Sequence, residues 1–148
     1  MPRRMTTLGA FVLALLFAAC ASDPEQLRAE RTVAAEYDAA TGRLELIAFD
    51  SDDNGTADTW SYMHGRFVER IEFDRDEDGQ IDRRGLYEAG VLQSSEEDAD
   101  SDGRHDRWVT FEDGQIAFAT FDEDGDGAPD RRVIYTDGEV ASIEDISD

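Results

Sequence analysis

The chain has 148 residues, 36 of them acidic and 14 basic, and a formal net charge of −22 at pH 7. A surface of that sign repels nucleic acid and anionic membranes, because counterion release rewards only cationic proteins. The length allows one domain at most, and the acidity leaves three readings: disorder, a solvated acidic surface, or cation binding.

Residues 1–19 read as a signal peptide with a short signal helix. Arg3 and Arg4 precede an apolar run from Leu8 to Ala19, too short to cross a hydrocarbon core of ~30 Å as a stable helix. Cys20 is the only cysteine of the chain, so no internal disulfide can form. The stretch Phe17-Ala18-Ala19-Cys20 resembles the lipobox of bacterial lipoproteins, although Phe17 stands where leucine is usual. That resemblance implies that Cys20 becomes the lipidated first residue of a mature chain. Two or more acyl chains would suffice for stable anchoring, since each buried CH₂ contributes ~0.8 kcal/mol. Ala21 follows where an aspartate would retain such a protein in the inner membrane, so the resemblance points to the outer membrane of the cell envelope. Residues 20–30 read as lipidated cysteine and polar tether, and residues 31–148 as one repeat domain.

The repeat begins as half a unit. Thr32–Tyr37 and Arg43–Phe49 flank a turn at Thr41-Gly42 and predict a starting hairpin without a preceding loop. Four acidic segments follow. They run Asp50 to Asp58, Asp74 to Asp82, Asp98 to Asp106 and Asp122 to Asp130, and their sixth residues Gly55, Gly79, Gly103 and Gly127 are 24 residues apart. A fixed period of this length marks a repeat architecture. After each segment come two apolar runs of strand length around a glycine turn, at His64-Gly65, Ala89-Gly90, Asp113-Gly114 and Asp137-Gly138. Such dipeptides between apolar runs are hairpin signals, because tight hairpin turns need φ > 0. The expected fold is therefore all-β: an antiparallel meander of repeated hairpins, about ten strands, joined by acidic loops. Tyr87, Phe111 and Tyr135 should stack along one face, with Phe49, Phe73 and Phe121 as another row that Glu97 interrupts.

Within each loop the candidate side-chain ligands fall at positions 1, 3, 5 and 9, all acids except Asn54. These are Asp50, Asp52, Asn54 and Asp58; Asp74, Asp76, Asp78 and Asp82; Asp98, Asp100, Asp102 and Asp106; and Asp122, Asp124, Asp126 and Asp130. Calcium takes six to eight oxygens at ~2.3–2.6 Å. Carboxylates at positions 1, 3 and 5 converge on one point if the backbone curls around it. Glycine at position 6 permits the sharp turn. Position 7 would add a backbone carbonyl, from Thr56, Gln80, Arg104 or Ala128, and the ninth residue closes the shell. Up to four Ca²⁺ ions are expected, the first site weakened by Asn54.

These loops resemble the first nine positions of the EF-hand loop. The likeness ends there, since position 12 is Ser61, Gly85, Val109 or Val133 and position 8 is Ala57, Ile81, His105 or Pro129. They also resemble the helix-free calcium loops of thrombospondin type 3 repeats and integrin-type propeller blades. The nearest resemblance, over residues 37–148, is to acidic bacterial lipoproteins with tandem D-x-D-G-x-x-D-R and Y-x-x-G units, here Asp78 to Arg83 and Tyr87 to Gly90. That group implies no particular activity. The expected function is a calcium-rigidified structural or binding module of the cell envelope, held to the membrane through Cys20. Alternatives are a calcium-dependent partner binder or adhesion protein in the manner of dockerins, and an acidic surface protein without specific metal. No enzyme is expected, because no catalytic constellation accompanies the carboxylates. His64 and His105 lack companions at metal-ligand spacing. Arg83, Arg84, Arg107, Arg131 and Arg132 follow the loops and should balance their charge. No protein or glycan partner is identified by the sequence.

Overall fold

A computed structural model describes residues 32–147; the signal segment, Cys20 and the tether lie outside the described residues. Ten strands follow one another in chain order: β1 (Val33–Tyr37), β2 (Leu44–Phe49), β3 (Thr59–His64), β4 (Phe67–Phe73), β5 (Arg83–Glu88), β6 (Val91–Glu97), β7 (Arg107–Glu112), β8 (Gln115–Phe121), β9 (Arg131–Thr136) and β10 (Glu139–Asp145). They form a single antiparallel sheet in the order β1 to β10 without a crossover. Tight turns connect β3–β4, β5–β6, β7–β8 and β9–β10 at one edge, and the four acidic loops connect the hairpins at the other. Packing runs between strands adjacent in sequence. Among the described residues no helix is long and apolar enough to cross a membrane.

Three of the turns have the expected centre. Ala89-Gly90, Asp113-Gly114 and Asp137-Gly138 carry positive φ at both residues, as a two-residue hairpin turn of type I′ requires. The turn expected at His64-Gly65 sits one residue further on. His64 pairs with Phe67, so Gly65 and Arg66 form the turn, and of these two only Gly65 has positive φ. This is the pattern of a type II′ turn, in which glycine is needed first. A six-residue connection replaces the tight turn between β1 and β2, closed by the Asp38 carboxylate, which accepts from the amides of Ala40 and Thr41 and from the Thr41 hydroxyl.

Each hairpin carries one β-bulge near its turn, and the bulges repeat with the period of the sequence. The extra residue is Glu45, Glu69, Gln93, Ala117 or Ala141. Because side chains alternate faces along a strand, one inserted residue reverses the facing of everything beyond it. The bulge sets Leu44, Val68, Leu92, Ile116 and Val140 opposite Tyr37, Met63, Tyr87, Phe111 and Tyr135. All ten thus join the face of the central row, which runs Ala35, Ile47, Ser61, Ile71, Gly85, Ser95, Val109, Ala119, Val133, Ile143 across the ladders. Neither row contains a charged residue. Tyr87 and Leu92 close over Gly85, where an added Cβ would come within 3.2 and 3.3 Å of them.

The row nearest the loops lies on the same face. Phe49, Phe73, Glu97 and Phe121 alternate there with Thr59, Arg83, Arg107 and Arg131. Glu97 fits this row through charge: Arg107 reaches it at 3.3 Å and Arg75 at 3.5 Å. Arg107 and Arg131 flank the Phe121 ring at 5.8 and 5.5 Å from its centroid, within cation–π range. The opposite face carries a charged ladder, with Arg84 between Glu72 at 2.9 Å and Glu96 at 3.4 Å. The expectation that the arginines after the loops balance loop charge holds for Arg131, which pairs with Glu123. Arg84 and Arg107 instead serve acids of the strands. Buried apolar side chains are few, Val109, Ala119 and Val133, as follows for one layer with solvent on both sides.

Candidate metal centres

The four loops lie side by side along one edge of the sheet. The amide of each closing residue, Asp58, Asp82, Asp106 and Asp130, donates to the carbonyl of the residue before its own loop, at 2.8–3.0 Å. Each loop is thereby pinched shut at its base. Neighbouring loops are tied as well: the amides of Asp74, Asp98 and Asp122 donate to the carbonyls of Asp58, Asp82 and Asp106 at 2.7–2.9 Å. Two inter-strand steps separate equivalent residues, so loop centres recur every ~10 Å.

Inside a loop, the carboxylates are fixed by amides in a pattern that repeats four times. The first aspartate accepts from the amide of the glycine at position 6, at 2.8, 3.0, 2.8 and 2.6 Å along the chain. The third accepts from the amide at position 5, at 3.1, 3.2, 3.2 and 3.1 Å. The fifth side chain, Asn54, Asp78, Asp102 or Asp126, accepts from the amide at position 7, at 2.8, 2.7, 2.8 and 2.8 Å. The ninth accepts from the amide at position 2 in every loop. Position 6 needs glycine, with φ between 89° and 101°. Position 4 is left-handed too, at Asp53, Glu77, Ser101 and Gly125, a conformation costing a non-glycine residue roughly 1–2 kcal/mol. In the sequence this second turn is marked only in the fourth loop, by Gly125, and weakly in the first, by Asp53.

The geometry gathers one acidic cluster per loop: Asp50, Asp52 and Asp58; Asp74, Asp76 and Asp78; Asp98, Asp100 and Asp106; Asp122, Asp124 and Asp130. In each, carboxylate oxygens lie within 4.8 Å of one another, the span of ligands facing each other across a calcium ion at ~2.4 Å. Of the acids expected as ligands, Asp82, Asp102 and Asp126 stand outside these closest groups. Asn54 holds the Thr56 amide and donates to Asp52 and Glu77. Gln80 caps Asp78 through its side-chain amide at 2.8 Å, and Arg104 reaches the Gly125 carbonyl of the next loop at 3.2 Å. His105 faces Glu96 at 3.6 Å, on the strand side and away from any second histidine.

The first aspartate is buried in every loop, with Asp50, Asp74, Asp98 and Asp122 all 9% exposed or less, and the ninth is buried in the first two, at Asp58 and Asp82. One oxygen of Asp74, Oδ1, is buried without a hydrogen-bond partner. A desolvated carboxylate oxygen without a donor costs free energy, and a cation in the cluster would satisfy it. Burial pushes the Asp50 carboxyl up, but the amides of Gly55, Asn54 and Asp53 and the Asp52 side chain hold it below its ordinary value. Burial likewise opposes ionisation of Asp58, and the hydroxyl and amide of Ser51 with the Thr59 hydroxyl outweigh it. Asp50 and Asp58 of the first loop are thus kept charged at close range. At 4.8 Å each pair repels by ~3 kcal/mol at an effective ε near 20. An all-oxygen set of carboxylates suits a hard divalent cation, and the residues present fit one in each loop.

No protein-family model matches the chain, and no curated protein matches it. Among solved structures it is similar to a crystal structure of TarM, with a TM-score of 0.50 at 12% identity over 74% of this chain and 20% of that one. A mutant of S. aureus TarM in complex with Fondaparinux, alpha-GlcNAc-glycerol and UDP gives a TM-score of 0.41 at 11% identity, covering 78% of this chain and 22% of that chain. A GtfA/B complex gives 0.34 at 15%, over 82% and 22%. The chain spans about a fifth of the length of these proteins, and at such identities the first likeness concerns the sheet architecture alone. What sequence and structure together establish is a ten-stranded antiparallel meander of repeated hairpins, with four aspartate clusters able to hold metal ions along one edge.

Proposed function

We propose that the protein is a calcium-binding, non-enzymatic module of the bacterial cell envelope, anchored through lipid on Cys20 and stiffened by up to four Ca²⁺ ions. The observation that carries the metal reading is the fourfold repetition of one loop geometry, in which a buried aspartate at position 1 is aimed at two further carboxylates. Calcium is favoured over magnesium because positions 1, 3, 5 and 9 and the carbonyls of Thr56, Gln80, Arg104 and Ala128 could supply more than six oxygens. Magnesium prefers to retain its waters. The ion would neutralise carboxylates that otherwise repel, and so brace an edge that has no apolar core beneath it. Export and anchoring rest on the lipobox resemblance and on the acidic composition.

Calcium titration of the full chain by calorimetry, after EGTA and desalting, is expected to show saturable binding of up to four ions. Magnesium at the same concentration should give much weaker heat. A flat calcium titration, with a melting temperature indifferent to EGTA, would overturn the metal reading.

A further inference from the structure

One contact joins each hairpin of the sheet to the next, and it is built the same way four times. Four residues pair with four in every case: Leu46–Phe49 with Thr59–Tyr62, Arg70–Phe73 with Arg83–Leu86, Ser94–Glu97 with Arg107–Thr110, and Phe118–Phe121 with Arg131–Ile134. The bulge residue Glu45, Glu69, Gln93 or Ala117 stands immediately before the first of these ladders' residues on its strand. The two outer strands carry the halves of one more such ladder. On β10, Ala141 is the bulge residue and Ser142–Asp145 follow it. On β1, Val33–Glu36 precede the register shift as Thr59–Tyr62 do on β3. Both strands are exposed along their whole length, and among the described residues β1 pairs only with β2 and β10 only with β9.

Their backbones point outward at matching positions. The Asp50 amide donates to the Thr32 carbonyl, and the Ile146 amide to the Asp130 carbonyl. Antiparallel strands alternate bonded and non-bonded pairs, so Ala34 with Ala48 and Glu144 with Arg132 are bonded pairs. Val33 and Ala35 on β1, and Ile143 and Asp145 on β10, therefore turn their amides and carbonyls away from the sheet. Ile146 bonds to Asp130 as Asp122 bonds to Asp106, so the pattern of the inner loops continues to the edge itself.

We propose that copies of the chain join edge to edge, β10 of one against β1 of the next, through a fifth ladder of the same form. In the register of the other four, Asp145 meets Val33 of the next copy, Glu144 meets Ala34, Ile143 meets Ala35 and Ser142 meets Glu36. The outward groups of Ile143 then face those of Ala35, and those of Asp145 face those of Val33. The strands run antiparallel, because an even strand meets an odd one. No like charges stand opposite each other, although the chain carries −22, and Ile143 against Ala35 extends the uncharged central row. A contact between two different edges does not close on itself, so it propagates. It requires no ion in the loops.

Sedimentation velocity of the full chain in EGTA and reductant, over a range of concentrations, tests this apart from any metal. A reversible series from monomer through dimer to longer species is expected, growing with NaCl because salt screens repulsion between acidic chains. Ala35→Pro and Ile143→Pro each remove an outward amide that the chain's own ladders do not use, a change edge strands tolerate. Each variant alone should associate about tenfold more weakly or worse. Mixed in equal amounts they should form dimers and nothing larger, because Ala35→Pro keeps its β10 edge and Ile143→Pro its β1 edge. Should melting curves show a proline variant unfolded, Ser142→Arg reads the same contact: opposite Glu36 it should tighten association about threefold, and adding Glu36→Gln should cancel the gain. A parent that stays monomeric at every concentration overturns the proposal and makes β10 a polar capping strand. So does a parent that stops at a closed dimer, association that both proline variants retain, a mixture without dimers, or a Ser142→Arg chain that associates like the parent.

Discussion

The two edges of the sheet solve the same problem, reversing the chain, in opposite ways. At the turn edge, Asp113 and Gly114 complete the reversal with two residues in left-handed conformation, and nothing further is needed. At the loop edge, nine residues gather three carboxylates within 4.8 Å and bind each to a backbone amide. The turn is finished as a protein structure. The loop is finished only as a ligand: its amides hold acids in position while leaving their mutual repulsion in place. Length and acidity thus separate a connection that needs no ligand from one whose gathered carboxylates a cation would relieve.

That contrast breaks most clearly at Asp74, the buried aspartate with one unpartnered oxygen. Asp74→Asn keeps the acceptor for Gly79 but removes a charge. In EGTA the variant should melt above the parent, since relief of one carboxylate repulsion contributes about 1 kcal/mol after screening. The difference in stability between millimolar calcium and EGTA should shrink by about 1.4 kcal/mol, one site's share for a dissociation constant of ~0.1 mM. Paired melting curves in the two buffers measure both effects. A parent-like gap between the curves would remove Asp74 from the ligands.

The turn edge should answer differently. At Gly114, φ is +77° and an added Cβ meets nothing within 4 Å, so Gly114→Ala tests backbone conformation alone. A loss of about 1 kcal/mol is expected, equal with calcium and with EGTA; denaturant melts in the two buffers check it. Unequal losses would show that the two edges are energetically coupled.

The smallest effect belongs to the β1–β2 connection, where an exposed acid does conformational work without any cluster. Hydrogen bonds from the Thr41 hydroxyl and amide, and from Ala40, hold the Asp38 carboxyl below its ordinary value of 3.8. A carboxyl lowered in the fold binds its proton more readily when unfolded. Its contribution is therefore complete above pH 3.8 and is lost as pH falls through the lower folded value. Asp38→Asn should slightly flatten the acid limb of stability against pH, measured in EGTA, and leave calcium binding unchanged.

Much of this was legible in the sequence because its signals are local. The spacing of Gly55, Gly79, Gly103 and Gly127 reports the repeat, and the alternation of apolar runs with Asp-Gly pairs reports hairpins. Acids at loop positions 1, 3, 5 and 9, with Asn54 as the one exception, report the clusters. The bulges escaped notice, although their trace is present: apolar residues at 68, 71 and 73, and again at 116, 119 and 121, step by three and then two. Strict alternation does not allow the step of three, and only pairing shows which residue is extra. The left-handed fourth loop position was hidden because its residue type varies: Glu77 and Ser101 carry no signal for φ > 0, whereas Asp53 and Gly125 tolerate it.

By itself, then, the sequence determined the strands, the order in which they pair and the loops in which acids cluster, all of which follow from contacts between residues close in the chain; which acids group most closely was left to the structure. Only the tertiary structure decided which side chains share a face, which arginines serve strand acids in place of loop acids, and that the meander stays one layer deep. Those outcomes depend on register, and register is settled when a bulge, a turn centre and a neighbouring strand are satisfied together. At Gly65-Arg66 the pairing is that of the other hairpins, His64 with Phe67 as Glu88 with Val91, although glycine stands first in the turn and not second.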